Sequence, residues 1–106
     1  MFARIVKVNL KPNRSTDFTE TLDKQVIPML RARKGFQDEI TFCAPSGTEV
    51  VSISLWDKKE NAESYNTETY PEVLKAFMNF LDGSPQVKTY EIINSTYHKI
   101  AAPVAV

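Results

Sequence analysis

The sequence predicts an α+β fold of the ferredoxin-like type, a βαββαβ sandwich whose four-stranded antiparallel sheet carries helices on one face. Three observations lead there. Strand-like runs at residues 2–10, 36–43, 49–56 and 87–100 alternate with a long helical pattern, a short turn and a second helical pattern. The turn Ala44-Pro45-Ser46-Gly47-Thr48 leaves room only for an antiparallel hairpin. In the third run, Val51, Ile53 and Leu55 alternate with Val50, Ser52, Ser54 and Trp56, so neither face of the sheet is expected to be fully wet. The face without helices is therefore expected to meet the same face of a second copy, two sheets closing a barrel across a two-fold axis in a homodimer.

The first strand places Phe2, Val6, Val8 and Leu10 on one side and Ala3, Ile5, Lys7 and Asn9 on the other, and Pro12 ends it. A helix opens near Asp17, with Glu20 in the capping-box position, and aligns Phe18, Leu22, Val26, Met29 and Leu30 along one stripe. Pro28 lies inside that pattern. Lacking an N–H and crowding the carbonyl four residues earlier, it predicts a kink or a loosened turn near Lys24. Arg31-Ala32-Arg33-Lys34-Gly35 supplies cations and a glycine for the helix end.

Phe36, Ile40 and Phe42 are expected on one face of the second strand. After Trp56, Asp57 and Glu60 form a capping signal for a short helix with Ala62 and Tyr65 inward, and Thr69 with Glu72 repeats it for a helix whose apolar face is Val73, Leu74, Phe77, Met78, Phe80 and Leu81. Asp82-Gly83-Ser84-Pro85 stops that helix. The last strand is read over residues 87–100, long enough to outrun its own sheet. One domain thus spans residues 1–100, and the apolar tail 101–106 has neither helical nor strand period, as expected of a segment unordered in a monomer or docked on a second subunit.

Thirteen basic and thirteen acidic residues balance to zero net charge without long runs of one sign, which argues against nucleic acid or an anionic membrane as partner. Cys43 is the only cysteine, so no intrachain disulfide forms, and charge interrupts residues 1–7 before an apolar leader develops. No stretch approaches the roughly 20 apolar residues of a membrane span. The expected compartment is the cytoplasm. Three glycines, none in a Gly-x-Gly pattern, provide no phosphate-cradling loop, and His98 without clustered Cys or His partners predicts no metal site. Pairs such as Asp38 and Glu39, or Glu60 and Glu63, read as solvated faces.

The helix end Val26-Ile27-Pro28-Met29-Leu30 running into Lys34-Gly35-Phe36, and the strand-terminal Trp56 followed by Ala62 and Tyr65, resemble the antibiotic biosynthesis monooxygenase (ABM) group of the dimeric α/β-barrel superfamily. The likeness extends over nearly the whole chain. It implies an α+β dimeric barrel and a small-molecule pocket near Trp56. In that group, some enzymes oxygenate aromatic polyketides or quinols with no metal or flavin cofactor, the deprotonated substrate itself supplying the electron, so the protein must bind, remove a proton and stabilise an anion. The catalytic candidates are Asn9, to bond a substrate oxygen, Trp56, as a stacking wall, and Tyr65, as proton relay or donor; Arg4 or Lys7 is a candidate for anion stabilisation. Each also has a packing role: Trp56 as a core or interface ring, Asn9 as a strand-end cap, Tyr65 as a helix-to-sheet contact. Haem-degrading relatives share an asparagine late in the first strand and a tryptophan ending the third, matched by Asn9 and Trp56. They also need a histidine after that tryptophan, and none lies between Trp56 and Ser95. Cofactor-independent oxygenation of an aromatic or quinol-like molecule is the leading expectation, with a non-catalytic ligand-binding or stress-responsive dimer, or a purely structural dimer, as alternatives.

Overall fold

A computed structural model of the chain describes residues 1–98 and 100. Its order is β1 (Phe2–Asn9), α1 (Ser15–Thr21), a π-helical turn (Leu22–Val26), α2 (Ile27–Arg31), β2 (Phe36–Cys43), β3 (Glu49–Trp56), α3 (Lys59–Glu68), α4 (Tyr70–Phe77), a 3-10 turn (Met78–Phe80) and β4 (Gln86–Glu91). The sheet order is β2-β3-β1-β4 with every neighbour antiparallel, the split βαβ arrangement expected. Phe18, Val26 and Leu30 from the first helical unit and Ala62, Tyr65, Val73 and Phe77 from the second bury against Val8, Val50 and Trp56 of the sheet. The core therefore lies between one sheet face and the helices.

Pro28 acts as its chemistry requires. It occupies the first turn of α2, and the residues before it widen into the π-turn, in which the Ile27 N–H reaches back five residues to the Leu22 carbonyl. The loosened turn includes Lys24 and keeps the stripe in register, with Phe18, Val26 and Leu30 buried and Leu22 and Met29 packed beside them.

Other local expectations are corrected. Phe36 pairs with Trp56, but Asp38 pairs with Leu55, so Gln37 is the extra residue of a β-bulge. The bulge resets the alternation: Phe36 packs on the core, whereas Ile40 and Phe42 are about half exposed on the opposite face. The strand read over residues 87–100 ends at Glu91, which pairs with Phe2, the first residue of β1; the Ile92 N–H still bonds the Met1 carbonyl. The following segment brings His98 Nε2 against the Asp38 carboxylate of β2, the strand at the far edge of the sheet.

The three acidic or hydroxyl capping candidates form no side-chain cap. α1 starts at Ser15, so Asp17 falls in its first turn and pairs with Arg14 at 2.9 Å; Asp57 accepts instead from the Asn61 side chain at 2.7 Å; Thr69 stands at the right place without a side-chain bond. Met78 points outward, 62% exposed, because the chain tightens there into the 3-10 turn. The tail 101–106 lies outside the described residues.

Candidate functional site

The helix-side face of the sheet carries a polar row in an otherwise apolar core. Cα pairing sets Glu39 of β2 opposite Ser54 of β3, and Ser54 opposite Arg4 of β1, so the three residues stand in line across the sheet. In the next row Thr41 is opposite Ser52. Ser52 Oγ donates to Glu39 Oε1 at 3.0 Å, and the Thr41 hydroxyl contacts both that carboxylate oxygen and, at 3.0 Å, Ser52 Oγ.

Arg4 is 3% exposed. Its guanidinium donates to Asn66 Oδ1 at 2.8 Å and lies over the Tyr70 ring at 3.9 Å and the Tyr65 ring at 5.3 Å. Stacking on two ring faces suits a delocalised cation. Among the described residues no carboxylate lies within ion-pair distance of it. Above it, burial pushes the Tyr65 hydroxyl up to about 12, a rise that the Arg4 charge opposes without cancelling. Burial likewise raises Tyr70, with the Arg4 charge opposing the rise. Tyr65 is therefore a proton donor at neutral pH and not a base.

Two hollows meet at Arg4. An interior cavity of about 60 Å³ is lined by Arg4, Ser52, Ser54, Tyr65, Tyr70 and apolar residues of the core. A surface hollow of about 150 Å³ between α3 and β4 is lined by Phe2, Lys59, Ala62, Asn66 and the same Arg4. The Arg4–Asn66 bond thus stands at the partition between inside and outside.

Trp56 is completely buried and does not line the interior cavity. Its indole N–H donates to Ser54 Oγ at 2.9 Å, while the ring meets Phe36 edge-on at 5.7 Å and tilts against Tyr65 at 5.0 Å. Ser54 accepts that bond with its oxygen and keeps its own proton for the cavity it lines. Trp56 therefore touches the hollow only through the groups it holds. Asn9 is exposed at the opposite end of β1, seven residues from Phe2, the partner of Trp56, and its carbonyl accepts from the Asp82 N–H at 2.8 Å. Lys7 is also outside, beside Glu49 at 3.7 Å. The structure brings Trp56, Tyr65 and Arg4 together and leaves Asn9 and Lys7 apart from them.

This arrangement of sheet and helices recurs in solved structures. A Streptomyces coelicolor monooxygenase from the gene ActVA-Orf6, solved in complex with nanaomycin D, superposes with a TM-score of 0.75 at 18% identity over 89% of this chain and 88% of its own. A provisionally named antibiotic biosynthesis monooxygenase from Bordetella bronchiseptica gives 0.75 at 16% identity, covering 88% and 97%. The chain has an ABM-like fold. A Nitrosomonas europaea protein of unknown function matches equally well, at 0.75, 15% identity and coverage of 95% and 94%. No family model and no curated protein matches the sequence.

Within this ABM-like fold, Ser52, Ser54, Tyr70 and Glu39 are the site residues that sequence reasoning missed. The serines carried a signal, being hydroxyls on the inward face of a strand otherwise apolar there. Glu39 carried none, because its inward direction depends on the bulge at Gln37. Among the described residues no three His, Cys, Asp or Glu side chains gather as a metal site, and no helix is long and apolar enough to cross a membrane.

Proposed function

We propose that this protein binds an ionisable aromatic small molecule of the phenol or quinol class against Arg4 and oxygenates it without a cofactor, as a cytoplasmic homodimer. One observation carries the reading: a buried guanidinium with no carboxylate partner among the described residues, between two tyrosine faces and at the wall of a cavity. Such a cation is poised for an anionic guest, because removing a charge from water is repaid only by a close counter-charge. A phenolate fits both the charge and the flat aromatic surround. Arg4 would hold the oxyanion, Tyr65 and Ser54 would donate to the ligand's oxygens, and Trp56 would keep Tyr65 and Ser54 in place. Once ionised, the substrate can pass an electron to oxygen, so the protein's share is binding and anion stabilisation.

The test is oxygen consumption with dithranol or a naphthoquinol, measured above the rate of autoxidation. Wild-type protein is expected to accelerate uptake, and Arg4→Met to abolish the acceleration while remaining folded. Tyr65→Phe should lower kcat about 10²-fold, the effect of removing one donor to a developing anion. No acceleration by the wild type across such substrates overturns the enzymatic reading.

A non-catalytic binder of the same fold is the second reading. The lining favours it: apart from apolar side chains, the cavity is bordered by a cation, two tyrosines and two serines, none of them a ready proton acceptor. Saturable binding of the quinol without extra oxygen uptake would select it.

A further inference from the structure

Oxygenation through a substrate anion requires a proton acceptor, and none of the groups touching the cavity next to Arg4 is suited to that task. Arg4 is a cation, the Tyr65 and Tyr70 hydroxyls hold their protons more tightly than an ordinary tyrosine, and Ser52 and Ser54 are alcohols. A carboxylate on this face of the sheet is reached through Ser52, which lines the cavity with its hydroxyl donating to Glu39 Oε1 at 3.0 Å. Glu39 has a second aspect. It also lines the broad cleft of about 880 Å³ between β2 and the α1 to α2 unit, which opens to solvent and from which a proton can leave.

From this placement we infer that Glu39 is the proton acceptor of the site, acting through Ser52, and that its direction is set by the bulge at Gln37. This rests on the oxygenase reading above. The substrate O–H gives its proton to Ser52 Oγ as the Ser52 hydroxyl proton passes to the Glu39 carboxylate. The products are a substrate oxyanion facing Arg4, an unchanged serine and a neutral Glu39, which then loses its proton to water in the cleft. No oxidant or reductant enters this step. Thr41, in contact with the same carboxylate oxygen, fixes the acceptor in place and makes it a positioning residue.

The surroundings of Glu39 are mixed. Glu20 and Asp23 face the cleft from α1 and the π-turn, Arg31 faces it from α2, and Asp38 is its neighbour on β2. Tyr65 of α3 lies close enough for the Glu39 charge to oppose its ionisation, and Arg4 stands two strands away in the same row. A carboxylate that borders solvent, with both acidic and basic neighbours, is a suitable release point for a proton because it exchanges readily with water. Asp38, one residue before it, points to the other face, where it meets His98. The bulge therefore separates two adjacent carboxylates into different roles.

The test compares wild type, Glu39→Gln, Glu39→Asp, Ser52→Ala and Asp38→Asn in the dithranol oxygen-uptake assay across pH. Glu39→Gln should lower kcat about 10²-fold with KM little changed, and should remove the acidic limb of the wild-type profile. Ser52→Ala should act in the same direction, Glu39→Asp should recover part of the rate with the limb restored, and Asp38→Asn should behave as wild type. Turnover by the wild type with Glu39→Gln equal to it overturns this inference alone. A wild type that gives no turnover overturns the oxygenase reading and this inference with it. Circular dichroism of each variant identifies a loss caused by unfolding, and a folded Glu39→Gln with full activity remains decisive against the relay.

Discussion

Arg4 departs most from what its residue type does elsewhere. Its side chain is buried with a neutral amide and two aromatic rings as partners, which leaves much of its desolvation uncompensated. Replacing such a charge by an apolar side chain of similar length is expected to leave stability unchanged or to raise it, by up to about 2 kcal/mol. Denaturant unfolding of Arg4→Met checks this, and a loss above about 3 kcal/mol would make Arg4 a structural residue. Tyr65 gives a second prediction at this scale. The folded chain keeps its phenolic proton up to about pH 12, whereas the unfolded chain releases it near 10.0. The folded state therefore binds more protons between those values, so stability is full below the lower one and falls as pH rises toward the upper one. Urea midpoints on either side of that window should show the loss, and Tyr65→Phe should reduce it, leaving the part that Tyr70, also raised by burial, contributes.

Junctions between elements hold the site in register. Gly35, between α2 and β2, adopts a φ of +83°, its carbonyl accepts the Asp57 N–H at 2.9 Å, and a Cβ there would overlap the Asp57 and Asn61 side chains. Gly35→Ala combines a left-handed backbone with that overlap and should cost about 2–4 kcal/mol in chemical denaturation. Some of this level was legible in the chain. Proline chemistry pointed to the loosened turn at Lys24, and the stripe from Phe18 to Leu30 identified the buried face of the first helical unit. The bulge at Gln37 was not legible, since nothing in Phe36-Gln37-Asp38 marks an extra residue until β3 is laid beside it. Alternation carried through that point sends Ile40 and Phe42 to the face of Phe36, and the structure puts them on the other.

At the scale of the molecule, the sheet face without helices presents Ile40, Phe42 and Tyr90, each about half exposed, around the partly buried Ile5, Val51, Ile53 and Leu55. The proposed homodimer would bury a broad apolar face of that kind. Sedimentation is expected to give twice the 12.0 kDa mass of one chain. Ile53→Lys, placing a charge at the centre of that face, should convert the dimer to a folded monomer, and a wild type that sediments as a monomer would remove the barrel from the functional picture.

Sequence alone determined the order of the elements, the hairpin between β2 and β3, the break at Pro28 and the inward faces of the helices. All of these rest on periodicity, short connections and backbone chemistry, which act over a few residues. Only the tertiary structure decided that Trp56 is sealed behind the cavity, that Arg4 is buried without a carboxylate beside it among the described residues, that β4 ends at Glu91 opposite Phe2, and that Glu39 turns inward while Asp38 turns out. Each of those depends on which strand or helix lies across from a residue, and a one-residue bulge is enough to reverse the facing of every later residue in its strand.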